Sequence, residues 1–100
     1  LPHGQIVAVA SHGHALDVFT VSGACLKSSQ TFAELEAALR GDERFLPCNR
    51  GVLVNMDEAL KLDGDSILLT DGLRFPLRQR NRLDLINRFS EYQIKRMKRG

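Results

Sequence analysis

The apolar residues of this chain come in short runs cut off by turn-forming pairs, and that segmentation excludes most architectures before composition is considered. "QIVAVA" at 5–10 and "ALDVFTV" at 15–21 are rich in β-branched and apolar residues, and the turn-prone "SHGH" separates them. Ser22-Gly23 supplies a two-residue turn into "ACLKS", so the first 28 residues read as a β-meander whose tight turns use the positive φ that glycine tolerates. The pattern resumes in "RFLPC", "GVLVN" and "EALKL". "SILLT" and "LRFPL" then flank Asp71-Gly72, the strongest short hairpin signal in the chain. Pro47 and Pro76 lack the N–H that a ladder needs, so their strands lie at a sheet edge or end there.

Two segments depart from this pattern. In "SSQTFAELEAALRGD", Thr31 and Glu34 form a capping box, Phe32, Leu35 and Leu39 recur at helical spacing, and Gly41 stops the run, which predicts one short helix near 31–40. "RNRLDLINRFSEYQIKRMKRG" places Leu83, Ile86, Phe89 or Ser90, Ile94 and Met97 at threes and fours with basic residues opposite. That predicts a basic amphipathic helix over 82–99, fraying beyond Tyr92. The expected class is therefore mainly β, with one short helix inside and one at the end.

The 100 residues suit a single domain, which buries about 65% of its unfolded surface at this length. There is no internal repeat or linker, and no apolar run approaches the roughly 20 residues of a membrane-spanning helix. The absence of an initiator Met and of a signal pattern at Leu1 suggests a piece of a longer protein with something upstream. Cys25 and Cys48 lack metal-ligand spacing and sit in strand-like runs, so both read as buried free thiols of a cytoplasmic protein.

Charge is divided unevenly. Residues 1–73 carry five basic side chains against ten acidic ones, and residues 74–100 carry nine against Asp84 and Glu91. Such asymmetry points to a polyanion, nucleic acid first and anionic lipid second, or to a solvated basic helix.

No enzyme chemistry emerges. The chain has no Gly-rich phosphate loop, no Ser on a strand-to-helix elbow and no zinc-ligand pairs, and the expectation is a non-enzyme with no cofactor, metal or small-molecule substrate. His12 and His14, with Cys25 or His3 as a third ligand, make a weak metal candidate; an exposed polar turn is the plainer reading. Side chains suited to base edges fall between strands instead: His14, then Asn49 and Arg50 before "VLV", then Arg78, Gln79 and Arg80 after "RFPL". Arginine can grip guanine and Asn or Gln adenine in two-point contacts, while other basic residues take phosphates.

Phe45, Cys48, Asn49, Arg50, Gly51, "VLV" and Asn55 stand in the order and spacing of the LytTR domain, the DNA-binding output module of LytR/AlgR-type bacterial response regulators. The acidic "ELE" helix, the Asp71-Gly72 hairpin and "FPL" followed by basic residues also fit, so the sequence resembles that family over most of 5–90. The resemblance implies an elongated fold of about ten short strands in three small sheets. Its loops would enter major grooves at paired direct repeats, with two copies on promoter DNA. It further implies that His14 matches a polar loop position after the first strand and that Arg50 holds a base-contacting position. Asn49 replaces the family's histidine and Gly51 its usual serine. Arg78-Gln79 stands where Ser-Arg is common, with Arg80 next. Asn55 reads as a strand terminator rather than a DNA contact. The competing expectation is a protein-interaction or membrane-surface module that uses the basic C-terminal helix.

Overall fold

A computed structural model of the chain describes residues 2–99. Its elements are β1 Ile6–His12, β2 Ala15–Thr20, β3 Cys25–Ser28, α1 Phe32–Leu39, β4 Phe45–Asn49, β5 Val52–Asn55, β6 Ala59–Asp63, β7 Ser66–Leu69, β8 Arg74–Pro76 and α2 Arg82–Arg99. Eight strands thus form among the described residues, in an antiparallel sheet ordered β3-β2-β1-β5-β4 and a second ordered β6-β7-β8. The class is the mainly β one expected, with fewer strands and sheets than the anticipated ten in three. Met56–Glu58 winds into a single 3-10 turn between β5 and β6. Extents of 36 × 31 × 26 Å make the molecule modestly elongated.

Local signals explain several of these elements. Thr31 accepts from the Glu34 N–H at 3.1 Å and the Glu34 carboxylate returns to Thr31, which completes the capping box of α1. Asp71 and Gly72 both take positive φ, 61° and 74°, and the Leu69 N–H closes the hairpin on the Leu73 carbonyl at 2.7 Å. Pro47 lies on edge strand β4, and Pro76 ends edge strand β8.

The five-stranded sheet is buried on both faces. Ile6, Val9, Leu16, Val18, Phe45 and Leu53 pack under Phe32, Leu35 and Leu39 of α1. Val7, Ala8, Leu46, Cys48 and Val54 face Ile67 and Leu69 of the second sheet and Leu85 and Phe89 of α2. Adjacent Val7 and Ala8 reach the same cluster because β1 carries a bulge there: Ile6 pairs with Thr20 and Ala8 with Phe19. A second irregularity in β4, between the pairs Leu46–Val54 and Asn49–Val52, bends the strand just before Asn49.

Asn55 is fully buried, donates to the Ile6 carbonyl at 2.9 Å and accepts from the Asp57 N–H at 2.9 Å, the strand-ending role expected of it.

Three sequence expectations need correction. Cys48 is buried, but Cys25 is exposed, because β3 is an edge strand whose residues 25–27 project into solvent. The buried face of α2 runs through Leu85, Ile86, Phe89 and Tyr92, and leaves Leu83, Ile94 and Met97 exposed at 74%, 53% and 79%. The sequence offers two apolar stripes at helical spacing, and only one can face the core. Nor does α2 stop at Tyr92. Tyr92 bonds Asp57 at 2.6 Å, Gln93 the Met56 carbonyl at 3.4 Å and Lys95 Glu43 at 2.9 Å, so its later turns are docked on the β5–β6 turn and the α1–β4 loop.

Candidate nucleic-acid interface

The topology brings three connections to one end of the molecule. Pairing of Ala10 with Val52 sets the β1–β2 turn, with His14, beside the β4–β5 turn, with Arg50 and Gly51. The β8–α2 segment, with Arg78, Gln79 and Arg80, lies against β4.

Backbone geometry joins the first two turns. The Ser11 N–H donates to the Gly51 carbonyl at 2.7 Å. Gly51 takes a φ of +72°, which a two-residue turn needs, and a Cβ built there would lie 3.1 Å from the Ser11 Cβ. Glycine therefore lets the turns close on one another.

Side chains join the second and third. Asn49 donates Nδ2 to the Pro76 carbonyl at 3.1 Å and accepts the Arg50 N–H on Oδ1 at 2.8 Å. In return the Arg78 N–H reaches the Cys48 carbonyl at 2.9 Å and its Nη1 the Pro47 carbonyl at 3.3 Å. Arg78 Nε also bonds the Arg80 carbonyl at 3.0 Å, and Arg82 Nε bonds the Arg78 carbonyl at 3.4 Å.

The six residues singled out from sequence thus divide by what they touch. Asn49 and Arg78 spend their polar groups on neighbouring backbone. His14, Arg50, Gln79 and Arg80 are exposed, and their side chains make no hydrogen bond or ion pair among the described residues. Ser11 and the Pro76 carbonyl support the loops and were not singled out, since only the strand register brings them there.

The charge asymmetry of the sequence looks different in three dimensions. Arg74 pairs with Asp63 at 2.6 Å, Arg82 with Asp65 at 2.8 Å, Lys95 with Glu43 at 2.9 Å and Arg96 with Asp57 at 3.3 Å. Each joins the basic last third to the acidic part before it. Among the described residues, Arg40, Arg50, Lys61, Arg80, Arg88 and Lys98 have side chains without an ion-pair partner, and two of these six sit at the loop end.

Beneath the loops, burial pushes the Cys48 thiol up to about 12, so it is a packing group. His12 ends β1 and His14 stands on the β1–β2 turn, both exposed, and among the described residues no three of His, Cys, Asp and Glu gather as metal ligands. No helix among the described residues is long and apolar enough to cross a membrane.

A small β domain with loops presented at one end has a counterpart among solved structures. The LytTr DNA-binding domain of a methyl-accepting/DNA response regulator from Bacillus cereus superposes with a TM-score of 0.70 at 16% identity, over 91% of this chain and 83% of that one. The fold is thus of the LytTR type that the sequence resembles. No protein-family model matches the sequence, and no curated protein does.

Proposed function

We infer that the chain is a sequence-specific double-stranded DNA-binding domain, the output module of a cytoplasmic bacterial transcriptional regulator. The observation that carries this reading is the cross-bonded cluster of three loops at one end of a LytTR-type fold, with His14, Arg50, Gln79 and Arg80 projecting unpartnered. The charge and donor chemistry of these side chains suit the major groove. Arg50 takes the two acceptors of a guanine, Gln79 the donor-acceptor pair of an adenine, Arg80 a base or phosphate, and His14 a neighbouring edge. Two copies occupy paired direct repeats on a promoter. No catalytic step belongs to this reading.

The decisive experiment is a mobility-shift titration with a duplex that the native domain selects from a randomised library. Arg50→Ala costs about 1–3 kcal/mol and relaxes the base preference at one position. Equal binding by variant and native protein would remove the loop surface from consideration. Sedimentation with a two-repeat duplex checks the copy number, and a complex that stays 1:1 contradicts the paired arrangement.

The exposed Leu83, Ile94 and Met97 on α2 favour a second reading, an interaction or membrane-surface module. Truncating α2 is a poor test, because Tyr92, Gln93 and Lys95 hold it to the body. Replacing the three apolar residues with glutamine preserves those bonds. If DNA affinity stays while flotation with phosphatidylserine vesicles disappears, the stripe has a function separate from DNA.

A further inference from the structure

Asn49 and Arg78 form a reciprocal clasp. Asn49 reaches from the end of β4 to the carbonyl of Pro76, and Arg78 reaches back from the β8–α2 segment to the carbonyls of Pro47 and Cys48. The Arg78 guanidinium then folds over its own loop to the Arg80 carbonyl at 3.0 Å and stands 3.9 Å from the Asp84 carboxylate. Its donors point at fixed acceptors within the protein. The loop bends back at Asn81, whose φ of +57° turns the chain into α2, and the Asp84 and Leu85 N–H groups close on the Asn81 carbonyl at 3.1 and 3.4 Å. Gln79 and Arg80 are left at the exposed crest.

We propose that Arg78 is a positioning residue: it contacts no base or phosphate, but sets the Gln79–Arg80 crest at a fixed offset from the Arg50 turn so that both meet one stretch of duplex together. This rests on the DNA-binding reading and deepens it, because it divides the loop residues into those that read and those that hold. Two acceptors, the Pro47 carbonyl on β4 and the Arg80 carbonyl on its own loop, need a rigid fork with several donors. Arginine supplies it, and lysine, a single charge on a flexible stem, does not. Gly51 extends the same logic, since its lack of a Cβ keeps the β1–β2 turn against the Arg50 turn. The three loops then move as one body, and selectivity depends on their spacing as well as on the side chains at their tips.

Two measurements on the 100-residue chain test this, with Arg78→Ala, Arg78→Lys and, as a comparator, Arg80→Ala. The first is amide hydrogen exchange without DNA. Both Arg78 variants lose protection at the residue 77 and 78 amides, which bond Asp65 and Cys48, while Val54 and Leu69 in the core keep theirs. The second is binding to the duplex selected by the native domain, over a range of salt. Arg78→Ala and Arg78→Lys both lose about tenfold in affinity, the worth of one base contact, and their preference over a scrambled duplex narrows. The slope of affinity against salt stays at the native value, whereas Arg80→Ala, where it removes a phosphate contact, lowers that slope by about one.

A reduced salt slope in Arg78→Ala with exchange protection intact makes Arg78 a phosphate contact and overturns the proposal. Native-like binding and protection in Arg78→Lys overturns it as well, because the fork would then be unnecessary. If the native chain selects no duplex, the DNA reading fails by itself. The exchange arm still decides the clasp, and unchanged protection in both variants sinks it.

Discussion

Tyr92 donates its hydroxyl to Asp57 across 2.6 Å and so ties the third turn of α2 to the 3-10 turn between β5 and β6. Arg96 pairs with the same carboxylate at 3.3 Å, so one acidic residue anchors the helix twice. Burial first, and this bond second, push the tyrosine up to about 12.

Tyr92→Phe lowers stability by about 1–2 kcal/mol, read as a fall in the urea midpoint at unchanged slope. Because the folded value is raised, the folded state holds its proton longer than the unfolded one. The contribution is complete below about pH 10, the value of an unperturbed tyrosine, and is lost as pH rises towards 12. The chain has one tyrosine, so tyrosinate absorbance follows this titration directly.

Asp42 carries the opposite shift. Bonds from the Arg44 guanidinium, the closest at 2.6 Å, hold its carboxyl well below the usual carboxylate range, and His3 adds a bond at 3.0 Å. The stability from this cluster is complete above about pH 4 and declines as pH falls below it. Asp42→Asn has a lower urea midpoint at neutral pH and a shallower loss between about pH 4 and pH 2, and an acid profile identical to the native one would contradict the assignment.

Gly51→Ala meets two penalties, a left-handed φ and the Ser11 Cβ 3.1 Å away, and costs about 1–2 kcal/mol of stability. Adding Ser11→Gly relieves the contact but not the dihedral, so the double variant recovers part of the loss. Full recovery in thermal unfolding would place all the strain in the contact.

The two cysteines differ in access. Iodoacetamide at neutral pH modifies Cys25 on its exposed edge strand and spares Cys48, whose thiol burial pushes up to about 12. Mass spectrometry of the native chain therefore finds one adduct, and denaturation before labelling gives two.

What could be read in advance divides by the range of the interactions involved. Thr31 and Glu34 lie within one turn of helix, and Asp71-Gly72 within one hairpin, so propensity and spacing were enough for α1 and the β7–β8 hairpin. The buried stripe of α2 could not be chosen, because Leu85–Phe89 and Leu83–Ile94–Met97 satisfy the same period and only docking against β4 and the β5–β6 turn separates them. Cys25 was misplaced because its run has strand composition but ends up at an edge, and edge position belongs to the strand order. The interface residues were individually visible by type. That Asn49 and Arg78 hold each other's loops depends on contacts 27 to 31 residues apart, which no local pattern encodes.

The ion pairs that bind the basic last third to the acidic remainder also govern how such a domain would search a genome. A protein coated in free cations adheres to any stretch of DNA and dissociates slowly from the wrong ones. Here Arg74, Arg82, Lys95 and Arg96 are already engaged within the molecule, and Arg50 and Arg80 stand unpaired at the loop end. On the proposed reading the domain would rest briefly on random sequence, and a second copy on the neighbouring repeat would lengthen its stay at the right one.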